Sequence, residues 1–393
     1  MATLFFIVFL DLVGFGMIIP VLPFFAARMG VPEALVIFLF GLYSLGQLVG
    51  APLWGVLSDR IGRRPVLLGT LVANAAANML LAVAHDGWQL GLSRLVAGLA
   101  AGNISTAYAY VTDISDEATR PKLLGLLGAA FGMGFIVGPA LGGLLAGGDG
   151  ADANLARTAH AAAVMSLVAA VATFVFLRES HGPEHRAHAA THPRVNRRQM
   201  LNRPVLRELL AATLVIVAGV AMMQSTYVLW GASELSLGPR DIGFVFGTIG
   251  VIAVIVQGAG IGPLNRRFGA RRLTSAGAGL CTLALALFPL THSLTMSMIP
   301  LSIFAFGSAI FMPSITTLVS HTARSNERGA VMGVFQSSSA LGRVLGPFIA
   351  SGVAGLFGLR WPFVAGAIAS LGGVVLLRHA PTASLGYDAG EIA

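Results

Sequence analysis

Runs of apolar residues recur along the whole chain and decide what it can fold into. An α-helix needs about 20 such residues to cross the roughly 30 Å hydrocarbon core of a bilayer. Twelve runs meet this requirement, six on each side of a polar stretch, and we number them as spans 1 to 12. The spans are Thr3–Phe25, Ala34–Leu57, Pro65–Ala84, Trp88–Thr112, Lys122–Gly147, Arg157–Leu177, Leu206–Gly231, Asp241–Gly262, Arg272–Thr291, Thr295–Ser320, Arg328–Gly352 and Leu359–Arg378.

The composition agrees with a chain surrounded by lipid. Of 393 residues, 55% are hydrophobic and only 11% are charged, whereas soluble domains carry about 25% charged residues. We therefore predict an all-α membrane protein with twelve transmembrane helices in two pseudo-symmetric six-helix bundles. The predicted parts are a first bundle at residues 1–177, a cytoplasmic linker at 178–205, a second bundle at 206–380 and a cytoplasmic tail at 381–393.

The basic residues predict the orientation of the spans. Nineteen of the 25 lysines and arginines lie in loops on one side of the predicted membrane and four on the other. Because basic loops stay in the cytoplasm, we expect both termini to be cytoplasmic. The net charge of +8 is explained in this way, and since no basic stripe with interleaved aromatics is present, we expect no nucleic-acid partner.

The two halves of the sequence resemble each other. The segment Gly55–Leu68 recurs in weaker form as Gly262–Ser275, 207 residues later, and Gly138-Pro139 recurs as Gly346-Pro347. The nearly equal offsets of 207 and 208 residues indicate a duplicated six-helix unit. Proteins built in this way commonly place a substrate site between the repeats.

Asp11 is an acid inside span 1. A charged side chain at such a depth costs on the order of 3 kcal/mol and usually marks function. A carboxyl group removed from water can bind and release protons near neutral pH. We predict that Asp11 is the principal proton-coupling residue; the alternative is a hydrogen-bonded acid that only joins helices.

Arg94 is a cation inside span 4. A guanidinium group stays charged, so it needs an anion, a carbonyl group or water. Asp11 is a candidate partner, since the two residues lie within about 10 Å in depth. We predict that Arg94 takes part in proton coupling by competing with a proton for this carboxylate; the alternative is a fixed buried ion pair.

Four sequence patterns resemble a known family. G-V-L-S-D-R-I-G-R-R-P-V-L at Gly55–Leu67 is similar to the signature between spans 2 and 3 of the major facilitator superfamily. Leu92–Gly102 resembles its span 4 signature, and Gly134–Gly143 resembles the span 5 signature of antiporters. Asp11–Pro23 is similar to span 1 of the drug:proton antiporters, especially their tetracycline and multidrug exporter branch.

The resemblance implies proton-coupled export of small hydrophobic drugs by alternating access. It further implies a bacterial cytoplasmic (inner) membrane as the location, with small hydrophobic substrates, protons and the lipid bilayer as partners, no cofactor, and a monomeric working unit. An exporter or proton symporter of a small metabolite and an uncoupled facilitator remain alternatives. An enzyme is not expected, because the spans offer no convergent set of nucleophile, base or metal ligands.

The resemblance also implies a gate on the cytoplasmic side. We expect Asp59 to lie near a helix N-terminus of the other half, where the helix dipole favours anions, and Asp113 to accept Arg60 or Arg63. In span 5, glycines four residues apart suggest either a surface that seals the two halves or simple close packing. The predicted gating residues are Gly55, Asp59, Arg60, Gly62, Arg63, Arg64, Asp113, Gly134, Gly138, Pro139 and Gly142. We expect a weaker second loop, with Asn265 in the place of Asp59.

Substrate contacts are expected on spans 1, 2, 4, 7, 8 and 10, because apolar walls with a few polar groups suit small hydrophobic ligands. The candidates are Phe15, Tyr43, Gln47, Asn103, Met222, Met223, Gln224, Tyr227, Gln257, Phe311 and Met312. Tetracycline exporters carry further acids in spans 3 and 9 and a histidine in span 8. Because Ala75–Asn78, Ala276–Ala284 and Gly250–Gln257 contain none, another hydrophobic drug is the expected substrate.

Two features have no assigned role in the sequence. Arg343 lies in span 11, and it could extend outward, pair with Glu234 or contact a substrate. His181, His185, His188 and His192 lie in the predicted linker. Their spacing permits a metal site, but a proline- and arginine-rich linker is the simpler interpretation, and we predict no metal.

Overall fold

A computed structural model describes residues 1–116, 119–147, 154–180, 202–323 and 327–379. Within these ranges the chain is helical and contains no strand. Spans 1 to 6 correspond to the helices Ala2–Ile18 with Leu22–Arg28, Glu33–Ile61, Arg63–Ala82, Gly87–Ala100 with Ile104–Asp113, Arg120–Ala146 and Leu155–Phe176. Spans 7 to 12 correspond to Pro204–Glu234, Pro239–Ile255, Ile261–Leu287, Leu294–His321, Arg328–Phe357 and Trp361–His379. The helix Ile261–Leu287 begins with the last residues of span 8 and continues through span 9.

Ten helical segments among the described residues are long and apolar enough to cross a membrane. The difference from twelve has two causes. Span 4 is divided by a 3-10 turn at Ala101–Asn103, and spans 8 and 9 form one segment, Pro239–Leu290. Gly269 inside that segment has a φ of +76°, so the chain turns there although hydrogen bonding continues through it. The structure is therefore consistent with twelve crossings.

Span 1 is broken near its end, where a single helix was predicted. The break between Ile18 and Leu22 contains Pro20, and Pro23 follows at the start of the next helix. Proline lacks the amide hydrogen that a helix interior needs, and its ring clashes with the preceding turn. The break therefore follows from two prolines that the hydropathy pattern alone does not register.

The packing of the helices repeats between the halves. Span 1 packs against spans 5 and 6, and span 7 packs against spans 11 and 12. Spans 3 and 6 pair as spans 9 and 12 do, and spans 2 and 4 pair as spans 8 and 10 do. Gly62 and Gly269, 207 positions apart, both have positive φ, at +111° and +76°. The duplicated unit inferred from the sequence is thus visible in the fold.

Spans 2 and 11, which belong to opposite halves, contact each other near the ends that lie away from the arginine-rich loops. The hydroxyl of Ser351 donates to the carbonyl of Ala34 at 2.8 Å. The rings of Phe38 and Phe348 meet edge to face, with centroids 4.8 Å apart. Span 2 thus packs against span 11 at this end, which we call the outer end.

At the opposite, arginine-rich end, which we call the inner end, the same face of span 2 is uncovered. Val49 and Val56 follow Phe38 by 11 and 18 residues, which places all three on one side of the helix. Their exposed fractions are 46% and 55%. The two halves therefore enclose a cleft that opens toward the inner end.

Candidate functional site

Asp11 is held by amide groups from two other helices. The side-chain nitrogen of Asn74 in span 3 donates to one carboxylate oxygen at 2.9 Å, and that of Asn103 in span 4 donates to the other at 3.4 Å. Asn74 also donates to the hydroxyl of Ser166 in span 6 at 3.3 Å. An ionised carboxylate in an apolar bundle needs such donors to offset its lost hydration. The acid of span 1 therefore links the helices of the first half.

A small cavity lies beside this carboxylate, with room for about one water molecule. Its walls are apolar except for Asp11 and Asn103. The lining residues are Ile7, Val8, Asp11, Leu12, Leu67, Leu71, Asn103, Ile104 and Ala107. A group with a water-sized space next to it can exchange a proton without a large rearrangement of its surroundings.

Arg94 is almost completely buried, with 4% of its surface exposed. Its guanidinium group donates hydrogen bonds to two neutral groups, the hydroxyl of Ser93 at 3.4 Å and the side-chain oxygen of Asn78 at 3.5 Å. The expected pair with Asp11 is not formed in this conformation, because the carboxylate accepts the two amides instead. Arg94 is thus a buried cation with two long hydrogen bonds to neutral groups.

An aromatic pair lies one helical turn from Asp11. The rings of Phe15 and Tyr43 are stacked with centroids 4.7 Å apart. Phe135 of span 5 meets Phe15 edge to face at 5.9 Å, so spans 1, 2 and 5 share an aromatic cluster. Asp11, Arg94 and Arg343 lie near the hydroxyl group of Tyr43. Since Arg343 belongs to span 11, this group of residues joins the two halves.

Glycines hold spans 2 and 4 together next to this pair. A methyl group added at Gly98 would collide with the backbone of Tyr43, and one added at Gly50 would collide with the carbonyl of Leu99. Because the backbones touch, the position of Tyr43 relative to Arg94 is fixed by main-chain packing rather than by flexible side chains.

The predicted substrate contacts differ in how much of each side chain is exposed. Phe15, Tyr43, Gln47 and Met312 are half-buried, Gln224 and Gln257 are exposed, and Asn103 is buried against Asp11. Met222, Met223, Tyr227 and Phe311 have 2% or less of their surface exposed and lie in the packed interior of the second half. In this conformation neighbouring helices cover these four side chains, so their contact with a ligand stays a prediction that would need another conformation.

Arg63 is the centre of the loop between spans 2 and 3. Its guanidinium donates to Asp59 at 2.5 Å, to the hydroxyl of Ser58 at 2.7 Å and to Asp113 at 2.9 Å. Of the two arginines considered as partners of Asp113, it is Arg63 that pairs. All of these residues belong to the first half, and Asp59 is 53% exposed at its side chain, so the expected position of Asp59 against the other half is not seen here.

Glu179, which sequence reasoning missed, closes this loop. It accepts the backbone N–H of Arg63 at 2.8 Å and that of Arg64 at 3.1 Å, at the N-terminus of the span 3 helix. Its carboxylate fills the space where a side chain at Gly62 would stand. The available signal was an acid placed directly after span 6 on the arginine-rich side. Gly55, one of the predicted gating residues, lies inside the helix Glu33–Ile61.

The glycine stripe of span 5 faces span 1 and not the other half. Added methyl groups at Gly134, Gly138 and Gly142 would meet Leu12, Val13 and Met17, respectively. The close-packing interpretation is therefore the one that this conformation supports.

The contacts of span 5 with the other half come from neighbouring positions. A methyl group at Gly143 would meet the carbonyl of Pro239, and one at Gly243 would meet the carbonyl of Pro139, both at 2.6 Å. Span 5 thus packs with one face against span 1 and with another against span 8. Pro139 is the predicted gating residue of this span that lies at the boundary of the halves.

The loop between spans 8 and 9 shows that Asn265 is not the counterpart of Asp59, as the sequence comparison had it. When Gly62 is matched with Gly269, Asn265 corresponds to Ser58, and Arg266 takes the place of Asp59. Arg63 corresponds to Ala270, so the second half lacks both the acid and the central arginine of the first loop. The four linker histidines lie outside the described residues; within the described part no cluster of metal-binding side chains is found.

Comparison with known proteins gives consistent matches over the full chain. The profile of the Major Facilitator Superfamily matches residues 4–261 and again residues 232–391. The class G tetracycline resistance protein of Vibrio anguillarum is 31% identical, with 96% of this chain and 97% of that protein covered. Multidrug resistance protein 2 of Bacillus subtilis is 27% identical, with coverages of 91% and 89%.

A solved structure is similar in fold. It is a bacterial homolog of the human lysosomal transporter Spinster, in an inward-facing and occupied conformation. It superimposes with a TM-score of 0.81 at 16% identity, covering 96% of this chain and 95% of that one.

Proposed function

Because the chain belongs to the Major Facilitator Superfamily, a family of transporters rather than enzymes, we propose that it exports small hydrophobic drugs in exchange for protons. Proteins named for tetracycline and multidrug resistance match it over nearly their whole length. We place it in a bacterial cytoplasmic membrane, with both termini on the cytoplasmic side, and we expect it to work as a monomer with halves at residues 1–177 and 206–380.

The observation that carries this proposal is the environment of Asp11. As a carboxylate, Asp11 accepts one amide hydrogen bond on each oxygen, from Asn74 and Asn103. A proton on either oxygen makes that oxygen a hydroxyl group, which is a weaker acceptor than a carboxylate oxygen, so one of the two amide hydrogen bonds is weakened. Proton binding therefore loosens the contact of span 1 with span 3 or span 4. A proton that alters helix contacts in this way can favour one conformation of the transporter over the other.

Alternating access follows from the two ends of the molecule. In this conformation the halves meet at the outer end and leave a cleft toward the inner end. In the opposite conformation the inner ends come together, and Asp59, on the surface at the inner end of span 2, is available to contact a helix end of the other half. Drug enters the cleft from the cytoplasmic side, and a proton taken up by Asp11 resets the conformation after release.

The decisive experiment is transport by purified protein in liposomes with an imposed pH difference, using a panel of hydrophobic drugs that includes tetracycline. We expect drug movement coupled to collapse of the pH difference, lost in Asp11→Asn and kept in Glu33→Gln, a surface acid at the outer end of span 2. A rate of drug movement that does not depend on the pH difference would indicate a facilitator. Drug and proton movement in the same direction would indicate a symporter. Unchanged coupling in Asp11→Asn would refute the assigned role.

A further inference from the structure

Arg343 lies opposite Tyr43 across the boundary of the two halves. Spans 2 and 11 run in opposite directions: Ala34 meets Ser351, and Phe38 meets Phe348 one turn further in. Continuing this register brings Arg343 to the level of Tyr43. Arg343 therefore stands where the closed outer contact gives way to the inner cleft.

The partners of Arg343 in the described part of the chain leave most of its donors unused. One guanidinium nitrogen donates to the hydroxyl of Ser339 at 3.0 Å, on the preceding turn of the same helix. Glu234, the acid considered for it, pairs instead with Arg360 at 2.5 Å. A guanidinium group offers five donors in a planar fork that matches a carboxylate. Among the described residues, Arg343 thus has a neutral hydrogen-bond partner and no acid partner.

The charge balance around Tyr43 is positive. Within the part of the chain that the structure describes, Asp11, Arg94 and Arg343 are grouped around Tyr43, one acid and two arginines. The acid already accepts Asn74 and Asn103, and Arg94 has only long contacts to neutral groups. Buried or half-buried cations without a counter-charge are costly, so an anion that enters this region is stabilised.

We propose that Arg343 is a substrate-binding residue and that the transporter takes aromatic compounds carrying an acidic group. The ring edges of the stacked Phe15–Tyr43 pair and the outer face of Tyr43 contact the aromatic ring of the ligand, and the guanidinium of Arg343 binds the carboxylate through two parallel hydrogen bonds. Because span 11 supplies the arginine and spans 1 and 2 supply the rings, such a ligand contacts both halves at once. The inference rests on the proposed function only in treating this ligand as transported cargo.

Binding to purified protein tests the inference without requiring transport. The probes are tritiated 1-naphthylacetate, 1-naphthylacetamide and 1-naphthylethylamine, which share one ring system and differ in charge. A scintillation proximity assay counts only the label bound to immobilised protein. We expect the wild type to bind the acetate most tightly. In Arg343→Gln, affinity for the acetate falls about tenfold, while affinity for the amide changes less than twofold. Arg343→Lys keeps the charge and retains part of the preference.

The control is Arg360→Gln, which removes an arginine of the same half that already has an acid partner. Unchanged binding of the amide shows that a variant is folded. If the wild type shows no preference for the acetate, or if Arg343→Gln weakens all three probes equally, the inference is overturned. If Arg343-dependent binding is intact but no pH-driven export occurs, the inference stands and the proposed antiport function fails.

Discussion

Glu179 accepts the backbone N–H of Arg63 at 2.8 Å, although 116 positions separate the two residues in the chain. The contact ties the end of span 6 to the first turn of span 3, where exposed amide hydrogens and the helix dipole favour a negative charge. The loop between spans 2 and 3 is thereby held by a residue that lies outside its own sequence motif.

Removal of this carboxylate should loosen the loop. We expect Glu179→Ala to lower the free energy of unfolding by about 1 kcal/mol, the usual effect of losing a helix N-terminal cap. Thermal unfolding in detergent measures the change, with Glu33→Ala, an acid in the first turn of span 2 that faces solvent, as the matched control. A Glu179→Ala protein as stable as the wild type would show that the contact contributes nothing, and a loss no larger than that of Glu33→Ala would leave only the effect of an acid in a first helical turn.

Loss of Arg63 should be more damaging than loss of its neighbour. Arg63→Ala leaves Asp113, whose side chain is 14% exposed, without its arginine, and breaking a buried pair from one side costs about 3 kcal/mol. Arg60→Ala removes an exposed arginine and should stay within about 0.5 kcal/mol of the wild type.

A double-mutant cycle with Asp113→Ala separates the pair from the individual side chains. The double variant should recover part of the stability lost in Arg63→Ala, because the buried acid is removed along with its partner. Strict additivity of the two single changes would contradict a direct interaction.

Two glycines on neighbouring spans should respond in opposite ways to replacement by alanine, because one lies at a close helix contact and the other does not. A methyl group at Gly98 collides with the backbone of Tyr43, so Gly98→Ala should destabilise the protein by about 3 kcal/mol. Gly69 on span 3 has nothing within 4 Å of such a group, and Gly69→Ala should be neutral or stabilising by up to about 1 kcal/mol. SDS-induced unfolding of both variants checks this order, and a stable Gly98→Ala protein would argue against the described crossing of the helices.

Cross-linking the outer end should hold the molecule with its inner cleft open. Ala34→Cys combined with Ser351→Cys places two thiols at a contact between the halves, while the native Cys281 is buried. We expect oxidation to stop transport and reduction to restore it.

A third cysteine reports which end remains open in the cross-linked protein. Val56→Cys should react with a membrane-impermeant maleimide from the inner side when the outer end is cross-linked, since Val56 is largely exposed. Full transport by the oxidised double variant would rule out a separation of the halves at this contact.

Much of the fold could be read from the sequence because each crossing needs a long apolar run, and because Gly62 and its copy Gly269 mark the same turn in both halves. The sequence could not show which faces pack. Met222 and Tyr227 suit a ligand pocket as well as a packed interior, since both environments are apolar. The spacing of Gly134, Gly138 and Gly142 indicated close packing but not that span 1 is the neighbour. Glu179 was missed because its contact arises only when span 6 returns beside span 3.

Span 2 is one helix from Glu33 to Ile61. It carries the outer contact at Ala34, the aromatic ring of Tyr43 and the exposed acid Asp59, and about 24 Å of helix axis separates the last two. Pro52 lies inside the helix between these two residues, and an interior proline bends a helix because it removes one main-chain hydrogen bond. A tilt of the part of span 2 that carries Tyr43 displaces Asp59 only as far as the helix keeps its angle at Pro52. The mechanical coupling between the middle and the inner end of span 2 is therefore set at this proline.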